Sequence, residues 1–217
     1  MALVLYSHPF ASYCQKALIA LYENKTSFSM RLISDGKAFA ELEALWPLKK
    51  FPLLVDGSTV VVEASIIIEY LEHHYPGTVP LLPKKADAAL QTRFMDRFFD
   101  NYIMTPVTRV VGDSRRPATG RDPIGVAEAR AQLDTSYQWL DSQLISHEWA
   151  IGDEFSLADC AAAPSLFYAD WVHEIGKQWP NVRAYRTRLL ARPSVARVVD
   201  EARPYRHVFP AGAPDRD

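Results

Sequence analysis

Apolar positions in the first seventy-five residues follow strand and helix periods in turn. Residues 2–6, Ala-Leu-Val-Leu-Tyr, form an unbroken apolar run of strand length. From about Ser12 to Asn24, Ala17, Leu18, Leu21 and Tyr22 recur at helical spacing. Phe28 to Ile33 alternate and predict a second strand, and Lys37 to Leu45 predict a short helix closed by Trp46-Pro47. Leu53 to Val55 then meet Asp56-Gly57, a pair suited to a two-residue turn because glycine tolerates positive φ. Val60 to Val62 supply the returning strand. After Glu63-Ala64-Ser65, the residues Ile66, Ile67, Tyr70 and Leu71 restore the helical period.

The order β-α-β followed by α-β-β-α predicts a thioredoxin-like α/β layer, with helices packed on a small mixed sheet. The pattern changes at Tyr75. Tyr-Pro-Gly-Thr-Val-Pro-Leu-Leu-Pro-Lys-Lys-Ala-Asp has three prolines and no periodicity, and it reads as a linker. Beyond it no strand pairs are evident. Ala88 to Val111 is a long helical pattern that Thr105-Pro106 should kink or divide. Asp113 to Pro123 reads as a polar loop. Further helices are predicted at Ile124–Leu144, Ser156–Trp171, Asn181–Ala191 and Val195–Ala202, and an extended tail from Arg203. The chain therefore divides into a thioredoxin-like domain (1–76), a linker (77–87) and an all-helical domain (88–217).

Composition narrows the function classes. With 217 residues and 48% hydrophobic content, a sizeable core is available. A formal charge of −2 gives no reason to expect a nucleic-acid partner. No apolar stretch has the length of a membrane span, and Met-Ala-Leu-Val is unlike a signal peptide. Two cysteines, Cys14 and Cys160, make no disulfide framework, so a reducing cytoplasm is expected. The six histidines show no metal-ligand spacing, and no metal or other cofactor is expected.

Two stretches carry candidate chemistry. At residues 49–71, a hairpin runs into a helix N-terminus with Glu63 at the junction. Free N–H groups and the helix dipole there suit a carboxylate, and Glu63 suits an ammonium, so the stretch fits a small zwitterion. Pro52, just before the hairpin, lacks a backbone donor and keeps Phe51 extended. Residues 6–17, Tyr-Ser-His-Pro-Phe-Ala-Ser-Tyr-Cys-Gln-Lys-Ala, lie between the first strand and first helix, where a helix N-terminus stabilises a thiolate. This stretch is similar to the glutaredoxin active site, but Ala11 stands where the nucleophilic cysteine would be. Cys14 is at the inward-facing resolving position and reads as a small buried apolar residue. Ser12 has two readings that can coexist: a hydroxyl donating to the sulfur of a bound thiol, or a cap for the first helix. Tyr13 is a second hydroxyl within reach, whereas Tyr6 reads as core.

The whole chain, about residues 3–202, resembles a cytosolic-type glutathione transferase of bacterial kind, nearest to the serine-type theta and zeta classes. The resemblance rests on the thioredoxin-like pattern, on Phe51-Pro52 before a hairpin, on Glu63 before a helix reading Glu-Tyr-Leu-Glu, and on Phe-Ser-Leu-Ala-Asp-Cys-Ala-Ala-Ala-Pro at residues 155–164. It implies that Pro52 is cis and that Phe51 pairs its backbone with the cysteinyl part of glutathione. It implies that Glu63 and the Ala64 N–H hold the γ-glutamyl end, that Lys49 or Lys50 lies near the glycyl carboxylate, and that Ser12 faces the sulfur. Phe10 and Ser65 complete the implied glutathione set. Three departures stand out. Trp46-Pro47-Leu48-Lys49 replaces the usual Asn-Pro-x-Gly, Ala64 replaces a serine, and the omega-class cysteine position is Ala11.

The remaining motifs read mainly as structure. Ser156 and Asp159 have capping-box spacing. The aromatic run Phe94, Phe98, Phe99, Tyr102 exceeds what one buried face needs, so Phe98, Tyr102 and Met104 are expected to line a pocket for a second, apolar substrate, and part of the run to face a homodimer partner. Asp96 or Asp100 is a candidate for reaching the glutathione ammonium across that dimer. Arg115, Arg116 and Arg121 read as a solvated loop. The expected function is attack of an activated glutathione thiol on a small apolar electrophile, in detoxification. The alternatives are a non-catalytic binding protein of the same fold and a glutathione-dependent isomerase.

Overall fold

The computed structural model describes residues 3–217, so Ala2, expected to open the first strand, lies outside the described residues. The N-terminal unit contains β1 (Leu3–Ser7), α1 (Ser12–Glu23), β2 (Phe28–Leu32), α2 (Gly36–Leu45), β3 (Leu53–Asp56), β4 (Thr59–Val62) and α3 (Ala64–His74). Its sheet has the order β2-β1-β3-β4, with β1 parallel to β2 and antiparallel to β3, and β3 antiparallel to β4. Alternation sorts the strand side chains onto two faces. Leu3, Leu5, Leu54 and Val61 join α1 and α3 in the large core, whereas Tyr6 and Leu53 pack with Leu42 of α2.

The hairpin departs from expectation by one residue. Asp56 is the last residue of β3, paired with Thr59, so the turn is Gly57-Ser58, with Gly57 at φ +61°. Asp56 is free to accept hydrogen bonds from the Tyr70 hydroxyl at 2.9 Å and the Tyr75 hydroxyl at 2.7 Å, which tie the hairpin to the end of α3.

Residues 75–85 connect the two units and are anchored at several points. Asn24 donates to the Val79 carbonyl and accepts from the Val79 N–H, each at 2.9 Å, and the Leu157 N–H donates to the Leu81 carbonyl at 2.7 Å.

The helical unit comprises α4 (Ala86–Phe98), a π-helical turn (Phe99–Met104), α5 (Thr105–Ser114), α6 (Pro123–Gln143), α7 (Leu157–Val172), α8 (Pro180–Ala191) and α9 (Pro193–Ala202). Pro106 divides the long apolar pattern through its missing N–H, which leaves the Tyr102 carbonyl without its helical donor. The Ser136 hydroxyl of α6 donates to that carbonyl at 3.0 Å, and the ladder is carried past the break by the π-helical turn. Every residue of α7 is buried. It is apolar nearly all round because α1, α4, α5 and α8 surround it. Its start is closed by the Ser156–Asp159 capping box. Asp159 does more than cap. One carboxylate oxygen accepts from the Ala150 N–H at 2.8 Å and the Tyr185 hydroxyl at 2.6 Å.

The tail is not extended as expected. Arg203–Val208 wind into a 3₁₀ turn. Ion pairs hold it down: Arg203 and Arg206 with Asp217, and Arg216 with Asp170. They return Val208, Phe209 and Pro210 to the interface between the two units. Among the described residues, no helix is long and apolar enough to cross a membrane.

Candidate active site

The loop from His8 to Ala11 is fixed from both units. Its start is held by the His8 N–H, which donates to Cys14 Sγ at 3.4 Å. Gln15, buried in α1, donates to the Pro9 carbonyl at 2.8 Å and to the Tyr168 hydroxyl at 3.1 Å. Tyr168, on α7, in turn donates to the Phe10 carbonyl at 2.8 Å. The Phe10 ring packs edge-on to Tyr168 and Phe209. The helical unit therefore sets the shape of the loop that begins α1.

Ser12 is the first residue of α1, and Ala11 occupies the cap position. The Ser12 hydroxyl makes no hydrogen bond among the described residues, so of its two readings the cap is not the one adopted. It faces a cavity of about 490 Å³ between the units. The cavity also receives Tyr13, Phe51, Met104, Val107, Val111 and Phe209. Burial pushes the Tyr13 phenol up to about 12, with the Asp100 carboxylate adding to the effect, so it stays protonated near neutral pH and acts as a donor. Burial lowers the His8 imidazole, which keeps that side chain neutral at pH 7. Cys14 is fully buried, and burial pushes its thiol up to about 11, so it is an inert core residue. The Tyr6 hydroxyl donates to Glu41 at 3.1 Å, away from the cavity.

The second stretch lies beside this cavity. The Phe51–Pro52 bond is cis. The Phe51 N–H and C=O have no hydrogen-bond partner among the described residues, and Pro52 is buried beneath them. Two non-glycine residues with positive φ flank the pair in sequence: Lys49 at +56° and Glu63 at +70°. Such conformations cost about 1–3 kcal/mol each and concentrate at functional sites. Lys49 adopts its own where the family resemblance has glycine, and its ammonium pairs with Glu43 at 2.5 Å. Lys50 is exposed. Glu63 is exposed at the start of α3 and does not cap it, so the first N–H groups of that helix, including that of Ala64, have no side-chain acceptor.

Ser65 faces inward to α4. Its hydroxyl donates to Asp96 at 2.9 Å and accepts from Lys16 at 2.9 Å and from Arg97 at 2.5 Å. Lys16 is 1% exposed and contacts Asp96 at 2.5 Å and Asp100 at 2.8 Å. Arg97 joins the same two carboxylates from the surface side. Two cations and two anions thus balance, with the buried Lys16 one helical turn below Ser12 and Arg97 at the surface. Burial raises the Asp100 carboxyl, against the pull of Lys16. The sequence pattern did not reveal this cluster, and Asp96 and Asp100 are engaged by their own chain.

The expected lining of the second-substrate pocket is corrected in part. Met104 lines the cavity, but Phe98 and Tyr102 do not. Four residues apart, they share a face, and both rings pack together at 5.7 Å. The Phe98 ring lies 4.5 Å from Trp139 of α6, and the Tyr102 side chain is half exposed. Arg115, expected in a solvated loop, is exposed at the C-cap of α5 and also borders the cavity.

Comparison with known proteins places this geometry. The family model for the glutathione S-transferase N-terminal domain matches residues 5–79, and that for the C-terminal domain matches residues 123–188. The chain belongs to the glutathione S-transferase family. It is an enzyme of that family, built as a thioredoxin-like domain followed by a helical one. It is 27% identical to glutathione S-transferase GstB of Escherichia coli K12, over 85% of this chain and 91% of that protein. A glutathione S-transferase of Methylobacterium radiotolerans, solved in complex with glutathione sulfonate, is 28% identical. It has a TM-score of 0.78 and covers 92% of this chain and 95% of that one. One from Methylobacillus flagellatus with glutathione bound superposes with a TM-score of 0.81 at 22% identity, covering 91% and 98%. That last likeness concerns the fold alone.

Proposed function

We propose that this transferase binds glutathione across the Phe51–Pro52 edge and the start of α3, and that Ser12 donates a hydrogen bond to its sulfur. The thiolate then attacks a small apolar electrophile held against Met104, Val107 and Val111. Glu63 takes the ammonium of the γ-glutamyl end, and the free N–H groups at the start of α3 take its carboxylate. Lys49 or Lys50 meets the glycyl carboxylate. Phe10 shapes the loop above Ser12, and Ser65 acts through its ionic cluster rather than as a ligand. Tyr13 is a secondary donor. No cofactor beyond the co-substrate glutathione is part of this reading.

The observation that carries it is the unpaired Ser12 hydroxyl at the first turn of α1, facing the same cavity as Phe51, whose backbone groups are free. Lowering a thiol from ~8.5 to ~6.5 raises its thiolate fraction at pH 7 roughly twentyfold. Orientation within the cavity supplies much of the remaining acceleration.

A homodimer in a reducing cytoplasm completes the reading. It is supported by exposed Ile66 on α3 and exposed Leu90 and Phe94 on α4, and by two buried, unpaired cysteines. The biological role assigned is detoxification. The test combines calorimetric titration with glutathione and turnover of 1-chloro-2,4-dinitrobenzene. Saturable binding and conjugation are expected, and absence of both overturns the reading.

A further inference from the structure

We infer that Arg115 makes this cavity selective for elongated electrophiles that carry a carboxylate at the end remote from the reacting carbon. The inference rests on the transferase reading above and deepens it by naming the substrate class.

The wall of the cavity opposite α1 is one stripe of a helix. Met104, Val107, Thr108, Val111 and Arg115 recur at helical spacing and all line it. The stripe is apolar except for the Thr108 hydroxyl, until it ends in a guanidinium. Among the described residues, Arg115 is the only lining side chain that carries a full charge at neutral pH. The His8 imidazole is kept neutral by burial, and the Tyr13 and Tyr168 phenols are raised by burial.

The arginines around this end of α5 are not equivalent. Arg109 pairs with Glu128 at 3.1 Å, and Arg116 pairs with Asp113 at 3.5 Å. Asp113 also accepts from the Asp122 N–H at 2.7 Å, and Asp122 in turn accepts from the Gly125 N–H at 2.8 Å. The local carboxylates are thus occupied. Arg115 makes no ion pair and no side-chain hydrogen bond among the described residues. A guanidinium left unpaired beside an apolar cavity suits a planar carboxylate, which it can bind through two parallel N–H donors.

The two ends of the cavity are chemically distinct. Lys16 of α1 reaches Asp100 of the π-helical turn at 2.8 Å, which sets the start of α1 beside that turn. The sulfur therefore sits toward Met104. Eleven residues separate Met104 from Arg115, a rise of about 16 Å along the helix. Allowing for the length of the arginine side chain, the carboxylate lies roughly 10 Å from the carbon under attack. A volume of about 490 Å³ accommodates an aryl group between them.

An aryl vinyl ketone with an oxyacetate para to the carbonyl has this shape. The glutathione thiolate forms a C–S bond to the terminal CH₂. The C=C π pair moves to give an enolate, solvent protonates it, and nothing leaves.

The test uses 4-propanoylphenoxyacetate, the saturated and unreactive analogue, and its uncharged methyl ester. Each is titrated calorimetrically into the full-length protein, wild type and Arg115→Gln, Arg115→Lys and Arg115→Glu. The wild type is expected to bind the acid about tenfold tighter than the ester, the size of one hydrogen bond to a charged group. The ratio should fall to near one in R115Q, be partly kept in R115K and invert in R115E. A wild-type ratio of one or below overturns the inference. So does a ratio unchanged in R115Q, since a purely structural role weakens acid and ester together. Glutathione titration and turnover of 1-chloro-2,4-dinitrobenzene test the underlying reading separately. If both are absent, the transferase reading fails, while the binding ratio still decides the role of Arg115.

Discussion

Lys16 Nζ lies 2.5 Å from the Asp96 carboxylate with its side chain 1% exposed, so a cation on the first helix is neutralised by an anion eighty residues later. Removing one partner of such a buried pair leaves an uncompensated charge. Lys16→Met is expected to lower stability by about 3 kcal/mol or more. Restoring neutrality with Asp96→Asn in the same chain should recover part of the loss. Urea denaturation measures both, and a loss under ~1 kcal/mol for the single variant would contradict a buried ionic cluster.

Ser12→Ala is expected to lower turnover at least ~tenfold, the low end for loss of a hydrogen bond to a charged group. Glutathione affinity should change little, because binding is assigned to residues 49–65. Steady-state kinetics and a calorimetric titration separate the two effects. Unchanged turnover would move thiol stabilisation to Tyr13 or to backbone N–H groups.

The Tyr13 phenol, raised to about 12, should not appear in the pH profile of conjugation. A single ascending limb from the glutathione thiol is expected, and Tyr13→Phe should leave its midpoint in place. The linked effect on stability has a definite sign. Between pH 10 and about 12 the unfolded phenol ionises while the folded one keeps its proton, so stability falls as pH rises through that window. Tyr13→Phe should flatten that fall. A midpoint that shifts in Tyr13→Phe would assign thiol activation to the phenol.

Asp159→Ala removes more than a helix cap. The cap is worth about 1 kcal/mol, and the buried Tyr185 hydroxyl and Ala150 N–H lose their acceptor as well. A total loss of about 3 kcal/mol is expected, against about 1 for Ser156→Ala. Equal losses in the two variants would show that the Tyr185 and Ala150 contacts contribute nothing.

The elements themselves were legible in the sequence, because their periods are set by local backbone geometry. The hairpin, the break at Pro106 and the Ser156–Asp159 box each depend on residues within a few positions of one another. So does the placement of Ser12 at the start of a helix and of Glu63 at the start of another. The turn slipped by one residue, since Asp56 could either enter the turn or end the strand and only the pairing with Thr59 decides.

What tertiary structure alone decided are relations across long separations in the chain. Lys16 reads locally as one polar residue on an amphipathic helix, and its partners arrive from α4. Phe98 and Tyr102 have the composition of a pocket wall, yet their direction depends on how α4 and the π-helical turn meet α6. Arg115 follows the last turn of a helix and precedes a polar loop. That it faces a cavity depends on the tail folding back with Phe209, which ion pairs at Arg203, Arg206 and Asp217 hold in place. Periodicity reports which face of an element is buried. It carries no record of which distant face will meet it, because that choice is made by packing and charge pairing between segments that the chain brings together only on folding.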